Sequence, residues 1–134
     1  MSRPRPLSPH LQVYRLPFTA ILSISHRITG VLLSVGLLFI AGLLVLLAST
    51  PDGFSQIQSG MVTLPGRIVL WLWVYALCFH ACHGVRHLIW DSLHGLDKRS
   101  LPLHNLVELA TSVILTVGAM LLTDGQGLVG HSTP

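Results

Sequence analysis

Apolar positions along this chain fall in long blocks, with no alternation at short spacing. One block covers about residues 21–48, unbroken by charge from Val31 to Ala48; others cover about 65–88 and 106–123. Each reaches the ~20 residues a helix needs to cross a ~30 Å hydrocarbon core. Backbone crossing lipid must satisfy its own hydrogen bonds, so helix is the default. The first connection, STPDGFSQIQSG, is polar and carries Pro51 and Gly53; the second, HGLDKRSLPLHN, carries Gly95, Asp97 and Pro102. Both predict loops. The tail GQGLVGHSTP is Gly-rich and expected to be loose. The pattern predicts an all-α fold: three transmembrane helices in one membrane-anchor domain over 1–134, preceded by an N-terminal segment 1–20.

Composition agrees. The chain is 51% hydrophobic and 10% charged, against roughly 25% charged residues in a soluble domain. It implies a lipid bilayer and no nucleic-acid partner. The N-terminus MSRPRPLSPHLQVYRLPF is basic and proline-rich, and neither a cleavable signal peptide nor a Ser-rich transit peptide is expected there. That favours a bacterial inner membrane over a mitochondrion. Of the eight Lys and Arg, Arg3, Arg5, Arg15, Arg27, Arg86, Lys98 and Arg99 fall at the N-terminus or around the second connection. Only Arg67 falls on the other side. The positive-inside rule puts the N-terminus and second connection in the cytoplasm, and the first connection and C-terminus outside.

That orientation brings two polar clusters to one depth. In the second span His80, His83, Gly84, His87 and Asp91 follow one helical stripe; in the first, Ser23, His26, Arg27 and Gly30 do the same. His80 lies roughly 10 Å above the inner boundary at the rise of a helix. Ionisable groups in lipid normally face protein or a cavity, so the stripes are expected to face each other or a shared ligand.

Haem b is a ligand that suits histidine on a membrane helix. Its propionates need cations near the water boundary, where Arg27, His26 and Arg86 lie. A porphyrin needs room beside the helix, which Gly84 and Gly30 offer. His80, the deepest of the three histidines, is the best axial candidate. His83 is more simply a packing residue, and His87 a hydrated helix end. His26 and Arg27 also suit an interfacial anchor, and Asp91 a partner for Arg86 or His87. His83 and His87, at i and i+4, would suit zinc, but one helix does not close a tetrahedral site and no third ligand is obvious. Cys78-x3-Cys82 is sterically poor for a disulfide within a helix and is not the C-x-x-C-H of covalent haem attachment. Both thiols are read as packing residues, with Trp71, Trp73 and Trp90 as packing or interface residues.

RPLSPHLQVYRLPFTAILSISHRITG and HACHGVRHLIWD together resemble the cytochrome b556 subunits of succinate dehydrogenase, the larger of two small membrane anchors of respiratory complex II. The pairing of S-x-x-H-R-x-[ST]-G with H-x-x-x-G-x-R-H-x-x-x-D carries the resemblance, over most of Arg5 to Asp91. Leu93 departs from the small residue usual there, and His83 is outside the family pattern. The resemblance implies one half of a heteromeric helix bundle. His80 would be the axial ligand of a haem b whose iron takes its other ligand from the second small anchor subunit. His26 and Arg27 would lie beside the haem propionates, and Ser23 and Arg27 would line the ubiquinone site. It implies an iron–sulfur subunit and a flavoprotein subunit as partners. The flavoprotein would oxidise succinate, and electrons would reach ubiquinone through iron–sulfur clusters. The segment RPRPLSPHLQVYRLP would dock the soluble subunits. Two alternatives stay open: a haem-free structural anchor of a related succinate or fumarate oxidoreductase, and a metal-ion or proton-translocating protein using His83, His87 and Asp91. Against the latter, three spans make a small pore, and the acidic ligands that hard cations want are missing.

Overall fold

A computed structural model describes residues 15–92, 94, 97 and 99–125. Among them are four helices: α1 (Phe18–Ser49), α2 (Gly53–Val62), α3 (Leu64–Asp91) and α4 (Leu101–Gly125). α1, α3 and α4 are long and apolar enough to cross a membrane, α4 over Leu101–Thr123. The chain is all-helical over the described residues and a multi-pass membrane protein.

Prolines set the boundaries. Pro17 precedes α1 in extended conformation, and its carbonyl accepts from Ala20 N at 2.9 Å. At the other end both Thr50 N and Thr50 Oγ1 bond the Leu46 carbonyl, at 3.1 and 2.8 Å. Pro51 then bars a further turn. α3 opens with Pro65 in its first turn, and the Thr63 side chain caps Gly66 N at 3.2 Å.

Two expectations need correction. The first connection contains a helix. Phe54, Ile57 and Met61 recur at helical spacing within the polar text, and the breakers Pro51 and Gly53 stand at its start. The third span begins at Leu101, five residues before the expected 106. Pro102 and the polar His104 and Asn105 suggested a loop. Proline is well tolerated in a first helical turn, and both polar residues are carried on the helix.

α3 is central and packs against α1, α2 and α4, while α1 and α4 touch less. The packing is inside-out relative to a soluble domain. Buried apolar residues are Leu22, Ala76 and Phe79; buried polar ones are His83, Arg86, Asn105, Glu108, Ser112 and Thr116. The exposed surface of α1 is a run of Leu, Val, Ile and Phe. Polar side chains hidden between apolar-coated helices are what hydrocarbon surroundings demand. Close approach of α1 to α3 depends on two glycines. A Cβ on Gly36 would collide with the Trp73 indole, and one on Gly30 would stand 3.0 Å from His80 Cε1.

Candidate functional site

The two stripes meet. His80 on α3 reaches across to α1, with Nδ1 at 3.2 Å from both the His26 carbonyl oxygen and Thr29 Oγ1. Thr29 Oγ1 already donates its hydrogen to the same carbonyl at 2.8 Å. Both partners therefore accept, which assigns the proton of neutral His80 to Nδ1 and leaves the lone pair on Nε2. Fixing one imidazole nitrogen through a hydrogen bond is how proteins orient a metal-ligating histidine.

The other histidines gather beside it. The His26 ring stacks on His80 with centroids 4.0 Å apart, and lies 4.6 Å from His83 and 5.6 Å from His87. His87 meets the Trp90 ring edge-on at 5.5 Å. Nitrogen atoms of His26, His83 and His87 all lie within 4.8 Å of one another. The third imidazole that the sequence did not offer to His83 and His87 thus comes from α1.

His83 is more than a packing residue. Its Nδ1 donates to Glu108 Oε1 at 2.6 Å, and Arg86 Nη1 donates to Glu108 Oε2 at 2.7 Å. Side-chain exposure is 1% for His83, 3% for Glu108 and 8% for Arg86. The Arg86 guanidinium also lies 4.4 Å from the centre of the Trp90 ring. Arg86 therefore pairs with Glu108; Asp91, the expected partner, is exposed at the end of α3 and makes no ion pair among the described residues. Glu108 is the functional residue that reasoning from the sequence missed. It supplies an acid inside a span, contrary to the expectation that acidic ligands are lacking. The signal was available: one carboxylate within about 20 apolar residues requires a partner, and the histidines and arginine of α3 were candidates at that depth.

Ser23 is half-buried on α1 and Arg27 is exposed; neither makes a side-chain hydrogen bond or ion pair among the described residues. Residues 1–14, Leu93 and the C-terminal tail lie outside the described residues, and with them the expected docking segment up to Tyr14.

A profile described as the succinate dehydrogenase/fumarate reductase transmembrane subunit matches residues 1–119. The chain belongs to this family. Among curated relatives, the succinate dehydrogenase cytochrome b556 subunit of Paracoccus denitrificans is 41% identical over 113 residues, covering 84% of this chain and 87% of the relative. The cytochrome b556 subunit of Rickettsia typhi is 34% identical over 84% of this chain and 88% of its own length. The mitochondrial cytochrome b560 subunit of Dictyostelium discoideum is 36% identical over 89% of this chain and 59% of its own. Membership makes the chain a membrane subunit of a dehydrogenase complex, working with other subunits.

Haem is the group that the relatives' names as cytochromes imply, and the residues of this family member fit it. His80 offers an oriented imidazole with its lone pair on Nε2. A Cβ on Gly84, one turn further along α3, would meet nothing within 4 Å, so the flank of the helix there is open. Gly30 has a different part: its gap is filled by the His80 ring. Buried donors without partners, Arg86 Nε and Nη2, suit anionic carboxylates.

Proposed function

We propose that the chain is the cytochrome b anchor of a succinate:ubiquinone oxidoreductase. It supplies one axial haem b ligand and part of the ubiquinone-reduction site, and docks the flavoprotein and iron–sulfur subunits. The observation that carries the reading is the hold on His80 Nδ1 by the His26 carbonyl and Thr29 hydroxyl of the neighbouring helix. It leaves the lone pair of Nε2 as a base, and α3 has an open flank one turn on, at Gly84. His80 would hold the iron from this chain, and the second small anchor subunit would supply another ligand. Bound there, haem b supplies a one-electron redox centre.

The chain's own residues have distinct tasks. His26 and Arg27 stand at the turn of α1 nearest His80 and would meet the propionates, with Arg86 offering the two donors Glu108 leaves unused. Ser23 would donate to a quinone carbonyl, and Arg27 would offset negative charge as the quinone takes up electrons. Arg27, exposed and without a partner among the described residues, is free to serve a ligand lying between this chain and a partner subunit. Charge distribution supports a cytoplasmic N-terminus in a bacterial inner membrane, with residues 1–20 on the side where soluble subunits dock.

The test compares two electron acceptors in the assembled complex. Ser23→Ala and Arg27→Ala should lower ubiquinone reduction by about 100-fold or more, the order of one lost transition-state hydrogen-bond donor. Succinate oxidation by an artificial soluble acceptor should stay at the wild-type rate. Equal loss with both acceptors would mean failed assembly and remove the quinone assignment.

A further inference from the structure

Beside His80, two buried imidazole nitrogens find no partner within the described chain. His26 Nε2 and His83 Nε2 are both buried without a hydrogen-bond partner. An unpaired polar atom in such surroundings is costly. One nitrogen from each of His26, His83 and His87 lies within 4.8 Å of the others, so three imidazoles from two helices form one donor set.

We propose that His26, His83 and His87 bind a divalent transition-metal ion of the zinc class, with Glu108 as the positioning carboxylate behind His83. Three neutral imidazoles are a donor set that zinc accepts, with a fourth position left to water. The His83–Glu108 bond of 2.6 Å is the carboxylate–histidine pair that commonly backs a zinc ligand. It assigns the proton to Nδ1, fixes the ring and leaves Nε2 free to coordinate. Arg86 on the second carboxylate oxygen keeps Glu108 in that role and away from the metal. Tetrahedral zinc with bonds near 2.0–2.1 Å requires nitrogens about 3.3 Å apart, so from separations of up to 4.8 Å the rings must close by at most about 1.5 Å. His83 is locked between Glu108 and its neighbours, so His87, the most exposed of the three, and His26 would make that movement. The carboxylate and guanidinium charges cancel, so the site brings no net negative charge to a dication. Binding is therefore weaker than at a closed structural site, and reversible.

The site goes beyond the haem reading; of its three ligands only His26 has a part in both. Equilibrium dialysis of the detergent-solubilised, assembled complex against zinc chloride tests it, with bound zinc counted per chain. Wild type should hold a zinc equivalent that His83→Gln and His87→Gln each lack. Glu108→Gln should bind it at least about 10-fold more weakly, as loss of a supporting carboxylate does. If His83→Gln does not assemble, His87→Gln, altered at the more open end of the cluster, carries the comparison. Equal zinc in wild type and the assembled histidine variants, including none in any, overturns the proposal. The b-type optical band of the same samples reports the other site separately. It persists in His87→Gln whether or not zinc binds, and its absence from wild type would count against the haem reading alone.

Discussion

His83, Arg86 and Glu108 form a buried triad that ties α3 to α4. Removing one member leaves an uncompensated charge or donor, and breaking a buried pair costs about 3–5 kcal/mol. Glu108→Ala should therefore lower the unfolding midpoint of the assembled complex strongly, whereas Asp91→Ala, at an exposed carboxylate, should shift it by less than about 0.5 kcal/mol. Thermal unfolding of both variants checks this; equal effects would contradict the pairing. How far these residues were legible differs one by one. His80 and His26 stood out because ionisable groups at helical spacing in apolar text are conspicuous. The role of His83 was hidden because its partner lies on another helix, and periodicity within one segment says nothing about which faces meet. Arg86 was matched to the nearest acid in sequence, Asp91, although a helix end open to water leaves such an acid little need of a partner.

At the scale of elements, the approach of α1 to α3 decides whether His80 can reach the α1 backbone. Gly36 leaves the space that the Trp73 indole fills, whereas a Cβ on Gly42 would meet nothing within 4 Å. Gly36→Val should cost about 1–3 kcal/mol by overpacking and weaken retention of a haem held by His80. Gly42→Val should be close to neutral. Thermal unfolding and haem content of the two variants provide the check, and identical behaviour would mean that the helices do not pack at Gly36. The three long helices were legible because apolar length alone demands them. α2 was not, since a ten-residue helix with few apolar positions gives a weak periodic signal beside strong turn residues. The early start of α4 was obscured by Pro102, whose effect depends on whether it falls in a first turn or an interior.

For the whole molecule, orientation rests on seven cations against one, several of them outside the described residues. In a background with the free Cys78 and Cys82 replaced by Ala, cysteines introduced within 52–60 should label from outside the cell. Those within 95–100 should label only after the membrane is opened. The reverse pattern would refute the cytoplasmic N-terminus, though the joining of the two polar stripes would stand, because it rests on contacts between α1 and α3. Burial also bears on assembly. Few of the described residues are buried within the chain, and Arg27 and much of α1 are left exposed. Lipid suits the apolar surface, and a second anchor subunit with a shared ligand suits the exposed arginine beside the histidines.

The central claim is that His80 is a haem iron ligand. The most direct measurement is the dithionite-reduced minus oxidised optical spectrum of membranes in which this chain is co-expressed with its partner subunits, wild type beside His80→Ala. A sharp b-type band in wild type that vanishes in the variant, with the complex still assembled, is the result expected. A band that persists unchanged in His80→Ala, or no band in an assembled wild-type complex, would contradict it and leave a haem-free anchor whose histidines serve packing.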